Sequence, residues 1–188
     1  MNQSKPILNY IKAVISIIVL VGLDQLSKYI VAENMVMHDY KPVFGDVFGL
    51  YYLINEGMAW GMFQQKQVFF LIFTIVFLVA AAYVYSKLLA DRTFRPLNIC
   101  ILFLVSGAIG NMIDRMFRGE FLHGGVVDFL YIKIIDFPVF NVADMYVTIS
   151  ISVLVILLFT KYRNVEFDMI FPSKHKVENE NNKKEEDH

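Results

Sequence analysis

Three neighbouring stretches place polar and acidic residues beside long apolar segments: residues 106–115 are SGAIGNMIDR, residues 126–132 are VVDFLYI and residues 137–144 are FPVFNVAD. The flanking segments have the composition of membrane spans. An ionisable side chain in or beside hydrocarbon is costly unless a partner, water or a substrate offsets its desolvation. These stretches therefore predict a functional site in a membrane protein, with the candidate residues Asn111, Asp114, Asp128, Asn141 and Asp144.

The composition agrees with a membrane protein. Of the 188 residues, 56% are hydrophobic, which is too apolar for an ordinary soluble domain of this size. The formal net charge is −1, and no basic patch marks a nucleic-acid partner. The single cysteine, Cys100, excludes an internal disulfide and a cysteine-based metal site, and the four histidines lack the spacing of a ligand pair. We therefore expect no metal and no other cofactor.

Four segments are long and apolar enough to cross a bilayer, which takes about 20 residues. The predicted spans are residues 11–32, 67–89, 97–115 and 142–161. Residues 33–66 mix glycine and proline with aromatic and β-branched residues, which predicts a small surface sheet that includes a strand at Val47–Ile54. Another strand is predicted at Val126–Ile135. The predicted fold class is a mainly α membrane protein with four transmembrane helices and a small β-sheet on the outer membrane face.

The positions of lysine and arginine predict the orientation. With both termini and the turn at residues 90–96 on one side, that side carries eleven of these residues and the other side carries six. The excess places both termini in the cytoplasm and the sheet with its acidic residues outside. Residues 1–163 are predicted to form one membrane domain. Residues 164–188 are predicted to be a polar cytoplasmic tail that is disordered toward its end.

Asp128 and Asp144 could form a catalytic pair. Two neighbouring carboxylates cannot both ionise cheaply, so they share a proton. Such a pair can hydrolyse an amide, because one carboxylate takes a proton from the attacking water while the other donates one to the carbonyl oxygen. Each acid also has a structural alternative. Asp144 could cap a helix that begins at Asn141, and Asp128 could be a strand-end residue that faces water.

The residues before this pair lie on one face of the third predicted span. Gly107, Gly110, Asn111 and Asp114 follow helical spacing, and close helix packing alone would explain the glycines. It would not explain an amide and an acid together with Arg115. That arginine could pair with Asp114, or it could hold a lipid phosphate or a substrate carbonyl.

Two earlier motifs are also open to structural interpretations. Asp24 and Lys28 have the spacing of an ion pair within one helix. Asn55 and Gly57 could form a plain turn, or they could let a substrate chain approach the backbone closely.

Taken together, the motifs closely resemble those of bacterial lipoprotein signal peptidase, also called signal peptidase II. In order, they are Asp24-Gln25-x-x-Lys28, Asn55-x-Gly57-x-Ala59, Gly107-x-x-Gly110-Asn111-x-x-Asp114-Arg115, Val127-Asp128-Phe129 and Phe140-Asn141-x-Ala143-Asp144. No single motif would suffice, but five in this order are specific. The resemblance covers residues 11–162. Ser106 and Trp60 depart from it, because glycine and phenylalanine are common at those positions.

The resemblance implies a membrane aspartic endopeptidase of the bacterial cytoplasmic membrane that removes signal peptides by cutting prolipoproteins before a diacylglyceryl-modified cysteine. It implies that Asp128 and Asp144 are catalytic and that residues 33–66 cradle the substrate. Membrane lipid and cyclic-peptide inhibitors of the globomycin type are further implied partners. The other matched residues are implied either to line the substrate or inhibitor site or to form a structural pair: Asn111, Arg115 and Asn141 for the first role, and Asp24 and Lys28 for the second.

A small proton-coupled transporter is the main alternative, with the same acids acting as a proton relay. A relay needs carboxylates distributed through the depth of the bilayer. Asp114, Asp128 and Asp144 are instead expected near one face, and only Asp24 is expected to lie deeper. A purely structural assembly protein would leave the five polar motifs unexplained.

Overall fold

The computed structural model describes residues 4–57, 67–119, 124–163, 165 and 170. Within these residues, four helices are long and apolar enough to cross a membrane. They are α1 (Ser4–Asn34), α2 (Gln67–Leu88), α3 (Arg95–Phe117) and α4 (Val142–Phe159). The predicted fold class is confirmed, and the helix bounds differ from the predicted spans by two residues or fewer except at the start of α1.

Helix α1 begins earlier than predicted, at Ser4 rather than residue 11. A helix of its 31 residues is about 46 Å long, whereas the hydrocarbon core of a bilayer is about 30 Å thick. The polar start of α1 therefore continues the helix beyond the apolar run. A prediction based on hydropathy alone misses this extension.

A three-stranded antiparallel sheet joins the two long connections between helices. Its strands are β1 (Tyr40–Phe44), β2 (Phe48–Asn55) and β3 (Val126–Ile132), in the order β1-β2-β3. In the register of β2 and β3, Leu53 lies opposite Asp128 and Asn55 lies opposite Val126. The sheet thereby brings Asn55 beside Asp128. The rest of the predicted sheet segment, residues 58–66, lies outside the described residues.

The predicted strand at Val126–Ile135 is wrong at its end. The strand stops at Ile132, and Lys133–Ile135 form a short 3-10 turn. Asp136 follows in the left-handed conformation with φ 48°, and its backbone N–H donates to the carbonyl of Lys133 at 3.1 Å. The isoleucines in this turn favour a strand locally, but the chain must reverse there so that Phe140 can pair with Leu130.

Helix α3 lies at the centre of the bundle and packs against α1, α2 and α4. Its glycines permit this approach, as the sequence predicts. A Cβ at Gly107 would lie 2.5 Å from the carbonyl oxygen of Ala143, and one at Gly110 would lie 2.5 Å from Oδ2 of Asp24. Ser106 is fully buried, and its hydroxyl donates to the carbonyl of Leu102. Small residues on α3 thus bring the polar parts of α1 and α4 together.

The helices are apolar on the outside and partly polar on the inside. Exposed apolar side chains such as Phe73 and Val79 cover the outer surface of the spans, as lipid contact requires. One apolar cluster closes the end of the bundle opposite the sheet and includes Leu88, Phe94 and Tyr162. Among the residues that the structure describes, the buried polar ones with fractional exposures below 3% are Asp24, Lys28, Ser106, Asp114, Asp128 and Asn141. All but Ser106 belong to the site at the sheet end.

Candidate active site

Helix α4 begins with a capping box that holds Asp144 in place. The side-chain oxygen of Asn141 accepts a hydrogen bond from the backbone N–H of Asp144 at 3.0 Å, and Oδ2 of Asp144 accepts one from the N–H of Asn141 at 3.0 Å. The helix-capping role that the sequence allows for Asp144 and Asn141 is therefore present. It does not occupy the whole acid, because Oδ1 of Asp144 accepts a separate hydrogen bond from Nδ2 of Asn111 at 2.8 Å.

Three carboxamides surround the two acids. Oδ2 of Asp128 accepts from Nδ2 of Asn55 at 2.8 Å, and its Oδ1 accepts from Nδ2 of Asn141 at 2.6 Å. The same nitrogen of Asn141 also donates to Oδ1 of Asn111 at 3.1 Å. Asp128 and Asp144 are therefore joined through Asn141 and Asn111. The structure brings β2, β3, α3 and the start of α4 together around the two carboxylates.

The environments of the two acids differ. Asp128 is only 2% exposed, and burial followed by the negative charge of Asp144 raises its pKa from the ordinary 3.8 to about 7. The hydrogen bonds from Asn55 and Asn141 lower this pKa, but they do not outweigh burial. Asp144 is less buried and sits in the first turn of a helix, where the backbone favours a negative charge. Burial and the charge of Asp144 therefore favour the protonated form of Asp128.

A buried ion cluster lies directly beneath this pair. The ammonium of Lys28 is fully buried and contacts Oδ2 of Asp24 at 2.9 Å and Oδ2 of Asp114 at 3.0 Å. Asp24 also accepts from the N–H of Ala143 at 2.9 Å, and Asp114 accepts from the N–H of Val127 at 3.2 Å. The predicted pairing of Asp24 with Lys28 is present. Asp24 thus lies between Gly110 of α3 and the first turn of α4.

Arg115 does not form the ion pair with Asp114 that its position allowed. Asp114 pairs with Lys28 and, at 3.4 Å, with Arg118. The guanidinium of Arg115 instead donates to the carbonyl of Asn111 at 3.2 Å and lies 4.7 Å from the ring centre of Phe70. Its charge interacts with those of Asp144, Asp128 and Asp114. Arg115 therefore supplies a positive charge to the neighbourhood of both the acid pair and the ion cluster.

The second motif of the sequence supplies one of the three carboxamides. Oδ1 of Asn55 accepts a hydrogen bond from the N–H of Gly57 at 3.1 Å, while Nδ2 of Asn55 reaches Asp128. The tight turn proposed for this motif is present, and it orients a side chain of the site. Trp60 and Ala59, from the same part of the chain, lie outside the described residues.

Gln25 is the polar residue for which the sequence suggested no role. Its Nε2 contacts Oδ2 of Asp24 at 3.1 Å, the carbonyl of Gly110 at 3.0 Å and Oδ1 of Asp114 at 3.3 Å. It therefore bridges α1 to α3 beside the ion cluster. The signals in the sequence were its place next to Asp24 in an otherwise apolar segment and its membership of the motif Asp24-Gln25-x-x-Lys28. Within the described ranges, no group of three or more His, Cys, Asp or Glu could hold a metal ion.

The chain matches a known protein family over most of its length. The family model Peptidase_A8, described as signal peptidase (SPase) II, matches residues 16–160. Lipoprotein signal peptidases of Streptococcus pyogenes serotypes M5 and M18 are each 36% identical over 149 residues, which covers 77% of this chain and 91% of each relative. These matches confirm the resemblance seen in the five motifs.

Two solved structures of a bacterial membrane enzyme, determined by the in meso method, share the fold. The first has a TM-score of 0.70 and 32% identity and covers 83% of this chain and 92% of its own. The second has a TM-score of 0.67 and 33% identity, with coverages of 79% and 93%. With the four candidate spans, these matches make the chain a multi-pass bacterial membrane protein and give no support to a transporter. The chain belongs to the signal peptidase II family of aspartic peptidases.

Proposed function

We propose that this protein removes the signal peptide from prolipoproteins and that Asp128 and Asp144 are its catalytic pair. The observation that carries this proposal is the arrangement of the two acids, which three carboxamides connect and hold at the sheet end of the bundle. A buried pair of this kind suits hydrolysis of an amide by water activation. The named activity of the similar streptococcal proteins supports the substrate class.

In the proposed reaction, Asp144 begins ionised and Asp128 begins protonated. Water attacks the scissile carbonyl carbon while Asp144 takes a proton from it and Asp128 donates its proton to the carbonyl oxygen. Collapse of the resulting diol returns a proton to Asp128, and Asp144 passes its proton to the departing nitrogen. Both acids then regain their starting states. The raised pKa of Asp128 supports this assignment.

The cleavage position is proposed to be the peptide bond before a diacylglyceryl-modified cysteine. Each buried methylene of an acyl chain contributes about 0.8 kcal/mol of membrane affinity, so two chains would hold the substrate beside the bundle. Only a short peptide would then need positioning at the carboxylates. Asn111, Arg115 and Asn141 are proposed to line the site around this peptide, and cyclic peptides of the globomycin type are proposed to occupy the same site.

The proposed orientation places both termini in the cytoplasm and the sheet with the two acids on the outer side of the membrane. The lysine and arginine distribution supports it. We also propose that residues 1–163 form a single peptidase domain and that residues 164–188 form a cytoplasmic tail. Labelling of single cysteines introduced at Lys133 and Arg92, in a Cys100→Ala background, with a membrane-impermeant maleimide tests the orientation. Only the first should react in intact cells.

The test of the catalytic pair is cleavage of a diacylglyceryl-modified prolipoprotein peptide in detergent by the wild type, Asp128→Asn and Asp144→Asn. Substitution by asparagine keeps the size of the side chain and removes its titratable proton. Both variants should fold, as judged by thermal unfolding, and should cleave at the background rate. Asp136→Asn is the matched control, because Asp136 is exposed and asparagine tolerates its left-handed backbone. Near wild-type cleavage by either Asp128→Asn or Asp144→Asn would refute the assignment.

A further inference from the structure

Each of the three carboxamides around the pair has its oxygen held by a group that can only donate. Oδ1 of Asn55 accepts from the N–H of Gly57 at 3.1 Å, and the side-chain oxygen of Asn141 accepts from the N–H of Asp144 at 3.0 Å. A donor of this kind cannot pair with the amide nitrogen. The position of the donor therefore decides which end of each carboxamide faces the carboxylates.

Asn111 differs from the other two because a side chain, and not the backbone, holds its oxygen. Nζ of Lys28 donates to Oδ1 of Asn111 at 2.9 Å, and Nδ2 of Asn141 donates to the same oxygen at 3.1 Å. Of these two donors, only Lys28 carries a charge. The opposite end of the same amide, Nδ2, donates to Oδ1 of Asp144 at 2.8 Å. Rotation of the Asn111 amide by half a turn would point its NH₂ group at an ammonium and its oxygen at a carboxylate, and both contacts would be repulsive.

Lys28 itself has little freedom to move. It is fully buried, and it is held between Asp24 on its own helix and Asp114 on α3 at 2.9 Å and 3.0 Å. Two carboxylates surround the ammonium, and Arg118 pairs with the outer side of Asp114 at 3.4 Å. Because burial of unpaired charge is costly, the ammonium remains in this position. Its remaining hydrogen bond is the one to Asn111.

We propose that Lys28 is a positioning residue for the peptidase reaction, holding the Asn111 amide so that its NH₂ group donates to Asp144. Lys28 then acts on the base of the reaction through Asn111 and not only as a partner for two buried acids. This inference rests on the proposed role of Asp144. The positive charge of Lys28 also lowers the pKa of Asp128, so the cluster influences both members of the pair.

A double-mutant cycle tests this role, using Lys28→Met, Asn111→Ala and the combination of both. A small misplacement of a catalytic group costs about a hundredfold in rate, so Lys28→Met alone should lower kcat by about tenfold to a hundredfold, with KM little changed. In the Asn111→Ala background, the hydrogen bonds that connect Lys28 to Asp144 are absent. Lys28→Met should then lower kcat by less than about twofold further. Lys133→Gln, at an exposed lysine, is the matched control and should keep the wild-type kcat.

The pH profile supplies a readout that a merely structural role would not move. Loss of the Lys28 charge should shift the alkaline limb of kcat/KM to higher pH, because Asp128 acts in its protonated form and its pKa rises when a nearby positive charge is removed. The other charged groups near the pair stay in place: Asp24 from α1, Asp114 and Arg115 from α3, and Asp144 from α4. A purely structural lysine would reduce the folded fraction and leave both limbs unmoved.

The outcomes separate the two proposals. Additive effects of Lys28→Met and Asn111→Ala, or a wild-type kcat per folded enzyme in Lys28→Met, would overturn the positioning role while Asp144→Asn remained inactive. An active Asp144→Asn enzyme would instead overturn the catalytic pair itself. If Lys28→Met fails to fold, Asp24→Asn/Lys28→Met, which removes one charge of each sign, replaces it in the cycle. Asn111→Ala leaves Lys28 paired with both acids, and a wild-type kcat for that variant would by itself exclude the proposal.

Discussion

Two lysine–aspartate pairs in this protein have similar geometry and opposite surroundings. Lys28 and Asp24 are 2.9 Å apart, and both side chains are fully buried. Lys133 and Asp46 are closer, at 2.6 Å, but their side chains are 42% and 90% exposed. Distance alone would rank the second pair as the stronger. Removal of one partner should nevertheless cost more free energy at the buried pair. Water and salt screen a charge that is left alone at the surface, whereas a lone buried charge has no such compensation.

The two pairs also differ in what they connect. The surface pair joins the β1–β2 hairpin to the 3-10 turn after β3, and Nζ of Lys133 also lies 5.2 Å from the ring centre of Tyr40 on β1. The buried pair continues through Asp114 and Asn111 to the carboxylate of Asp144. Substitution of Lys28 should therefore affect both the stability of the fold and the chemistry of the site. Substitution of Lys133 should affect neither.

The largest effect is expected from Asp114→Ala. This variant leaves Lys28 with a single buried carboxylate and removes the acceptor for the N–H of Val127. Breaking a buried ion pair in this way should lower the free energy of unfolding by about 3–5 kcal/mol. Chemical or thermal unfolding in detergent measures the loss, with Asp46→Ala, at the acid of the exposed pair, as the counterpart. Equal stability of the two variants would show that burial does not make the Lys28 pair more costly to break than the Lys133 pair.

Gly110→Ala should have an intermediate effect by displacing the other acid of the cluster. A Cβ at this position would lie 2.5 Å from Oδ2 and 3.1 Å from Cγ of Asp24. Overpacking of this kind costs about 1–3 kcal/mol, and it should also reduce cleavage by moving Asp24 away from Lys28. Gly22→Ala is the control on α1, because no atom lies within 4 Å of its added Cβ and alanine is the better helix former. The proposal for the cluster fails if both glycine variants have the same stability.

The pH dependence of stability should have opposite signs at the buried and exposed acids. The pKa of Asp128 is raised from 3.8 to about 7, so the folded state binds more protons than the unfolded state in this window. The stability that Asp128 contributes is thus complete below 3.8 and is lost as the pH rises toward about 7. Asp128→Asn should remove this decline from a plot of Tm against pH.

Asp46 provides the comparison for that plot. The hydrogen bond and charge of Lys133 lower its pKa below 3.8, so its contribution is present above 3.8 and is lost as the pH falls below that value. Because Asp46 is exposed, Asp46→Asn should change the acid side of the profile only slightly. If the Tm of Asp128→Asn still fell between pH 3.8 and about 7, a group other than Asp128 would be responsible for the decline.

Much of the fold follows from the sequence because its physical cause is local. Four long apolar segments can satisfy their backbone in a bilayer only as helices, and these helices are present. The Asn141 cap with Asp144 also depends on neighbouring residues alone, and it forms as expected. The turn at Lys133–Ile135 shows the limit of local reasoning. Its isoleucines favour a strand, but the pairing of Phe140 with Leu130 requires the chain to reverse.

The site itself could be predicted as a set of residues but not as a network. The contact of Lys28 with Asn111 depends on how α1 crosses α3, which Gly110 permits. The contact of Asn55 with Asp128 depends on the register of two strands that are far apart in the chain. Neither is encoded in the spacing of residues along one element. For the same reason, the motif Asp24-Gln25-x-x-Lys28 marked Gln25 as a residue of interest but did not reveal that it bridges α1 to α3.

The smallest effect is expected from Lys133→Gln, and it sharpens the comparison of the two pairs. Removal of this ammonium breaks the shortest lysine–aspartate contact among the described residues, at 2.6 Å, yet exposed pairs often contribute nothing measurable to stability. The Tm and the cleavage rate should therefore match the wild type at physiological salt. At low salt the Tm of the wild type should rise slightly above that of the variant, because the attraction between Lys133 and Asp46 is screened less. A loss at Lys133 as large as that at Lys28 would mean that the sheet, and not burial of the ion cluster, determines the stability of the site.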